Sequence, residues 1–194
     1  MKKELLLSKL QGFDPEIFAI LQDEIQRQRY MLSLVPNNNA MSPFAHYLEG
    51  SLLANSAFDA QNPHSNSTNL EEIAIKRTKK LFGSEHAIVR LGNIGAASRV
   101  VCLTLLEPSS RVLSFNLRKA EHCSGLSFTF KNFGIDAKKQ VLDWDEVEQT
   151  ADETKPHLII FSPVSYPRNA NYRRLSEIAR KVGAYLWVDI GQSV

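Results

Sequence analysis

Cysteine is scarce in this chain, with Cys102 and Cys123 the only two in 194 residues. Two cysteines cannot build the disulfide framework of a small secreted domain, nor by themselves a metal site. Cys102 sits in the apolar run 100–106 and reads as a core residue. Long apolar runs are lacking too. The start, Met1-Lys2-Lys3-Glu4-Leu5-Leu6-Leu7, is basic but carries only a short leucine run before Ser8. That is too short for the apolar stretch of a secretion signal, and no segment approaches the length of a transmembrane helix. The expectation is therefore a cytoplasmic chain without a membrane partner. Asn66-Ser67-Thr68 fits the glycosylation pattern, but without a secretion signal it reads as chance. An excess of one charge is also missing, since 23 Lys+Arg stand against 21 Asp+Glu for a net charge of +2. A nucleic-acid partner would need a clustered basic excess. The basic runs at 76–80 and 138–139 read as solvated surface, the first with Glu71, Glu72 and Glu85 close by. His46, His64, His86 and His157 show no ligand spacing, so no metal is expected.

What is present is the mix of a globular chain, 43% hydrophobic and 23% charged. The length suits one domain or a substantial part of a larger one. Asp14-Pro15-Glu16 is a helix start, with a capping carboxylate, a proline at the first position and a negative charge at the positive end of the dipole. Ile17, Ile20, Leu21 and Ile25 mark one face of that helix, which predicts an amphipathic element laid on something larger. Residues 37–68 read as loop, with Asn37-Asn38-Asn39, Pro43, Gly50, Pro63 and His64-Ser65-Asn66-Ser67. Long irregular stretches of this kind tend to carry function.

Regular alternation follows. Thr68-Asn69-Leu70-Glu71 is a capping box that opens a helix running to Gly83. Strands are predicted at 87–91, 112–115, 140–142, 157–161 and 185–189. Helices are predicted at 96–106, at 121–130, after Asp143, and from Tyr172 to a stop at Gly183. This alternation predicts an α/β fold, a mostly parallel sheet with helices on both faces, preceded by an N-terminal helix. The expected organisation is an N-terminal helical segment at 1–36, a loop-rich segment at 37–68 and an α/β domain from 69 to 194. That last domain reads as cut, because the chain stops directly after an apolar strand.

In such sheets ligands bind beyond the carboxyl ends of the strands. Asp189 lies at such an end, where a carboxylate can hold a cation or a protonated ring nitrogen, or can cap a following helix. Gly92-Asn93-Ile94-Gly95 stands between a predicted strand and a helix, where backbone N–H groups suit a phosphate. It matches neither the P-loop nor the dinucleotide pattern. His122 follows the 112–115 strand, as a base, a ring-stacking partner or a surface histidine. Ser162 and Ser165 follow the 157–161 strand, where serines usually bond backbone.

Together these pieces resemble serine hydroxymethyltransferases. The resemblance is carried by Lys155-Pro156-His157-Leu158-Ile159-Ile160, Ser165-Tyr166-Pro167-Arg168 and Gly183-Ala184-Tyr185-Leu186-Trp187-Val188-Asp189. Gly50-Ser51-Leu52-Leu53-Ala54-Asn55, Leu81-Phe82-Gly83-Ser84-Glu85-His86-Ala87 and Phe133-Gly134-Ile135-Asp136 add to it. It implies the fold-type-I scaffold, pyridoxal 5′-phosphate as cofactor, a homodimer, and a small amino-acid substrate within one-carbon metabolism. By resemblance Asp189 would pair with the pyridine nitrogen and His122 would stack on the ring. Asn93 and Gly95 fall on the family's phosphate-binding Ser-Gly-Ser, and Ser98 on its asparagine. Its ring-hydroxyl serine falls on Val164, with Ser165 adjacent. Its general acid/base glutamate survives only as Asp59, and its neighbouring tyrosine is Ala57. Its Ser-Glu-Asn reads Asn37-Asn38-Asn39, and a later histidine is Gln192. The family's Schiff-base lysine lies further along than Val194. The resemblance thus implies glycine/serine interconversion or a related aldol reaction in a full-length or complemented form. The alternative is a degenerate, non-catalytic relative that binds a partner.

Overall fold

The computed structural model describes residues 3–35, 38–55, 66–115, 128–164 and 166–191. The chain divides into two compact units, Met1–Ala40 and Met41–Val194. The first holds α1 (Lys3–Phe13) and α2 (Pro15–Tyr30). Asp14 caps α2 as its sequence predicts, accepting the Ile17 N–H at 3.0 Å, with Pro15 in the first turn. Within α2, Arg27 and Gln28 donate to Glu24 at 2.6 Å. The Arg27 guanidinium first, and Gln28 second, hold the Glu24 carboxyl down at about 2. The apolar face expected of this helix is present but buries no residue; Ile17 and Ile20 are exposed.

The second unit begins with α3 (Pro43–Glu49) and a 3₁₀ turn at Leu52–Asn55. The stretch read as loop therefore contains a capped helix, in which Ser42 Oγ accepts the Ala45 N–H at 3.2 Å. Next comes α4 (Asn66–Phe82), which is already helical at Asn66. The Thr68 capping box thus lies inside the first turn rather than ahead of it. Then follow α5 (Ile94–Leu105), β1 (Arg111–Phe115), β2 (Thr129–Phe133), α6 (Trp144–Thr154), β3 (Leu158–Phe161), α7 (Tyr172–Val182) and β4 (Tyr185–Val188). No helix among the described residues is long and apolar enough to cross a membrane.

Among the described residues the strands form one four-stranded sheet in the order β2-β1-β3-β4, and its strand pairings are parallel. Successive side chains of a strand point to opposite faces, and the core divides accordingly. Leu113, Phe115, Ile159 and Phe161 pack with Val147 and Ala151 of α6 and with Leu175, Ile178 and Ala179 of α7. Val112, Leu158 and Ile160 pack on the other face with Cys102 and Leu106, at and just after the end of α5. The expected mostly parallel sheet with helices on both faces is what forms. Cys102 is fully buried, as its place in an apolar run predicts.

Three elements differ from the sequence expectation. Residues 87–91 are apolar but make no strand, since a strand needs a ladder partner and none is present among the described residues. The helix expected at 121–130 lies for the most part outside the described residues; at its end Thr129 and Phe130 belong to β2 and pair with Arg111 and Val112. The short strand expected at 140–142 is reduced to a single antiparallel bridge from Leu142 to Ile135.

Helix α7 ends at Gly183, whose φ of 73° lies in the left-handed region, and a Cβ there would meet nothing within 4 Å. The cost of a side chain is then conformational alone. Gly183→Ala is expected to lower the stability of the chain by about 1 kcal/mol, read by urea denaturation. A neutral result would show that the turn relaxes.

Candidate functional site

The strand order reverses between β1 and β3: the chain leaves β1 for β2 on one side and later builds β3 and β4 on the other. Ligand crevices of open α/β sheets form beyond the carboxyl ends of the strands at such a point. Phe115 and Phe161 end the two strands that flank it. Their rings lie 4.9 Å apart, and Phe133, Tyr166 and Tyr172 close round them at 5.6 to 6.5 Å. Aromatic pairs at such separations add to area burial, so the rim of the sheet stands on a rigid floor. Tyr166 also accepts the Leu142 N–H on its hydroxyl at 3.1 Å.

Two polar residues stand on that rim. The β3–β4 ladder ends with Phe161 opposite Val188, and one residue further Ser162 meets Asp189. The Ser162 hydroxyl donates to Asp189 Oδ2 at 2.9 Å. The Gly191 N–H donates to Asp189 Oδ1 at 3.0 Å, and the Asp189 N–H continues the ladder to the Phe161 carbonyl at 3.0 Å. Both carboxylate oxygens and the backbone of Asp189 are thus held, while the residue stays partly open to solvent. The sequence reading expects serines of this turn to bond backbone, and it does not foresee this side-chain partner. The partner is a side chain far along the sequence, visible only once β3 and β4 are aligned.

Asn93 stands at the start of α5. Its Oδ1 accepts the Ala96 N–H at 2.8 Å and its carbonyl the Ala97 N–H at 3.2 Å. The turn before it is tied to α4 by Arg90, whose Nη2 donates to Glu71 Oε2 at 2.8 Å while its Nε bonds Oε1. That guanidinium holds the Glu71 carboxyl below the usual carboxylate range. A Cβ at Gly95 would lie 3.3 Å from Asn93 Oδ1, so a larger residue there would press on the cap. Ser98 is fully buried and donates to the Ile94 carbonyl of its own helix at 2.6 Å. Asp59, His122 and Ser165, the other residues singled out from the sequence, lie outside the described residues, as do Asn37, Ala57 and Gln192. In the N-terminal unit, Arg27, Gln28, Met31, Ser33, Asn38 and Asn39 line a cleft of about 450 Å³, across which Asn38 Nδ2 donates to Ser33 Oγ at 3.1 Å. No cluster of metal-ligating side chains occurs among the described residues.

A parallel α/β sheet with helices on both faces and a held carboxylate just past the end of β4 defines the class, an open α/β domain. Residues 10–193 match the family of serine hydroxymethyltransferase, and the chain belongs to that family. It is similar to a probable serine hydroxymethyltransferase of Rickettsia bellii (strain RML369-C), at 34% identity over 197 aligned positions. The alignment covers 94% of this chain and 47% of the relative, so the chain spans about half the length of that protein.

Proposed function

We propose that this chain forms the ring-binding part of a pyridoxal 5′-phosphate enzyme that acts at the Cα of a small amino acid, glycine or serine, in a full-length or complemented homodimer. The observation that carries this reading is the Asp189 carboxylate, held on both oxygens at the carboxyl end of β4. The residues present fit the group at its ring end, because a fixed carboxylate is the partner a protonated ring nitrogen needs. At the phosphate end the α5 N-terminus offers backbone amides and a favourable dipole. Asn93 already takes the Ala96 amide, so the phosphate would rest on the amides of Ile94 and Gly95. Pyridoxal phosphate, when bound, supplies an electron sink for a developing carbanion. The part of this chain is to hold the ring nitrogen's proton at Asp189, stack the ring with His122 and place Ser165 near the ring hydroxyl. Asp59 takes the acid/base place, and Ser98, buried under the turn, supports the start of α5.

The self-capped Asn93 favours one second reading, a relative that has lost catalysis and serves as a binding protein. Pyridoxine 5′-phosphate separates the two. It has the ring nitrogen and the phosphate but no aldehyde, so surface lysines cannot trap it. Saturable binding to the chain, followed by the ligand's fluorescence, is the expected result. Absence of saturable binding would overturn the cofactor reading and leave the partner role.

A further inference from the structure

The geometry points to Ser162 as a positioning residue for Asp189. The assignment rests on the cofactor reading above and extends it by a residue that the resemblance does not supply. Ser162 is the first residue after β3 and Asp189 the first after β4, one step beyond the last ladder pair. At that step the strands no longer share backbone register bonds on both sides, and a side-chain bond takes over. The Ser162 hydroxyl donates to Oδ2 at 2.9 Å and the Gly191 N–H to Oδ1 at 3.0 Å. With a donor on each oxygen, rotation of the carboxylate about its Cβ–Cγ bond breaks at least one bond. The carboxylate plane is thereby set before a ligand arrives, and less ordering remains to be done on binding. Phe161, directly before Ser162, is fully buried and ring-packed, which fixes the backbone that carries the hydroxyl.

The test uses the full chain with pyridoxine 5′-phosphate labelled with ¹⁵N in the ring. Ser162→Ala is expected to weaken binding roughly three- to tenfold and to move the bound ring ¹⁵N signal toward the unprotonated position. Ser162→Thr, which keeps the hydroxyl, is expected to restore both. Equal affinity and an unchanged ¹⁵N signal in Ser162→Ala would overturn the assignment. A fall in thermal stability in both variants with no change in the ¹⁵N signal would do the same, since that is the mark of a purely structural serine. If the unaltered chain binds no ligand, the cofactor reading fails, and the positioning claim is then decided separately by the Asp189 ¹³Cγ resonance at neutral pH. A shift of that resonance in Ser162→Ala but not in Ser162→Thr supports it, and no shift in either rejects it.

Discussion

Asp189→Ala is expected to weaken pyridoxine 5′-phosphate binding by roughly 10- to 100-fold, the loss that follows from removing a hydrogen-bond partner of a charged group. The carboxylate is the acceptor at the end of β4, and with it go the bonds from Ser162 and Gly191. Asp189→Asn separates charge from shape. The amide keeps the size, and with its oxygen toward the Gly191 N–H it can donate its NH2 to the Ser162 hydroxyl, but it cannot form an ion pair with a protonated ring. We expect it to lose most of the affinity while the chain keeps its thermal stability. Affinity in Asp189→Asn equal to that of the unaltered chain would show that charge at this position is not used.

Phe161→Ala is expected to cost about 3–5 kcal/mol of folding stability, the range for deleting a buried aromatic ring. The side chain is fully buried at the centre of the larger core cluster and its ring contacts those of Phe115, Phe133 and Tyr172. Against a typical total of about 5–15 kcal/mol, that loss leaves a large fraction of chains unfolded at moderate urea. Phe161→Leu, which keeps most of the volume, is expected to cost clearly less. Urea midpoints for the two variants decide the matter, and a cost below about 1 kcal/mol for alanine would mean that the aromatic floor collapses without penalty.

Both effects arise at one place in the fold, and they differ in how far the sequence foretells them. Asp189 is legible as a candidate because an apolar strand ends at it, and the carboxyl ends of strands are where ligands of such sheets bind. The burial of Phe161 is legible because 158–161 is an unbroken apolar run, as expected for a strand covered on both faces. The Ser162–Asp189 bond is not legible. No local pattern links two residues on neighbouring strands; only the Phe161–Val188 register brings them together. β2 was hidden for a related reason. Thr129-Phe130-Lys131-Asn132-Phe133 is half polar, as suits an edge strand that buries only Phe133, and its pairing with β1 outweighs its weak strand pattern. Residues 87–91 fail in the opposite direction, since an apolar, β-branched run meets no described strand to pair with.

The helix starts at Asp14, Ser42 and Asp143 close as short-range chemistry dictates, with side-chain oxygens accepting N–H groups three residues on. The sequence by itself determined the caps at Asp14 and Asp143, the apolar strands β1, β3 and β4, the helix stop at Gly183 and the family, because each rests on residues near one another in the chain. Only the tertiary structure decided the strand order β2-β1-β3-β4, the division of the core between two sheet faces and the two-point hold on Asp189. These depend on which distant segments lie side by side, and that is settled by burying apolar faces against one another over the whole unit rather than by any local preference.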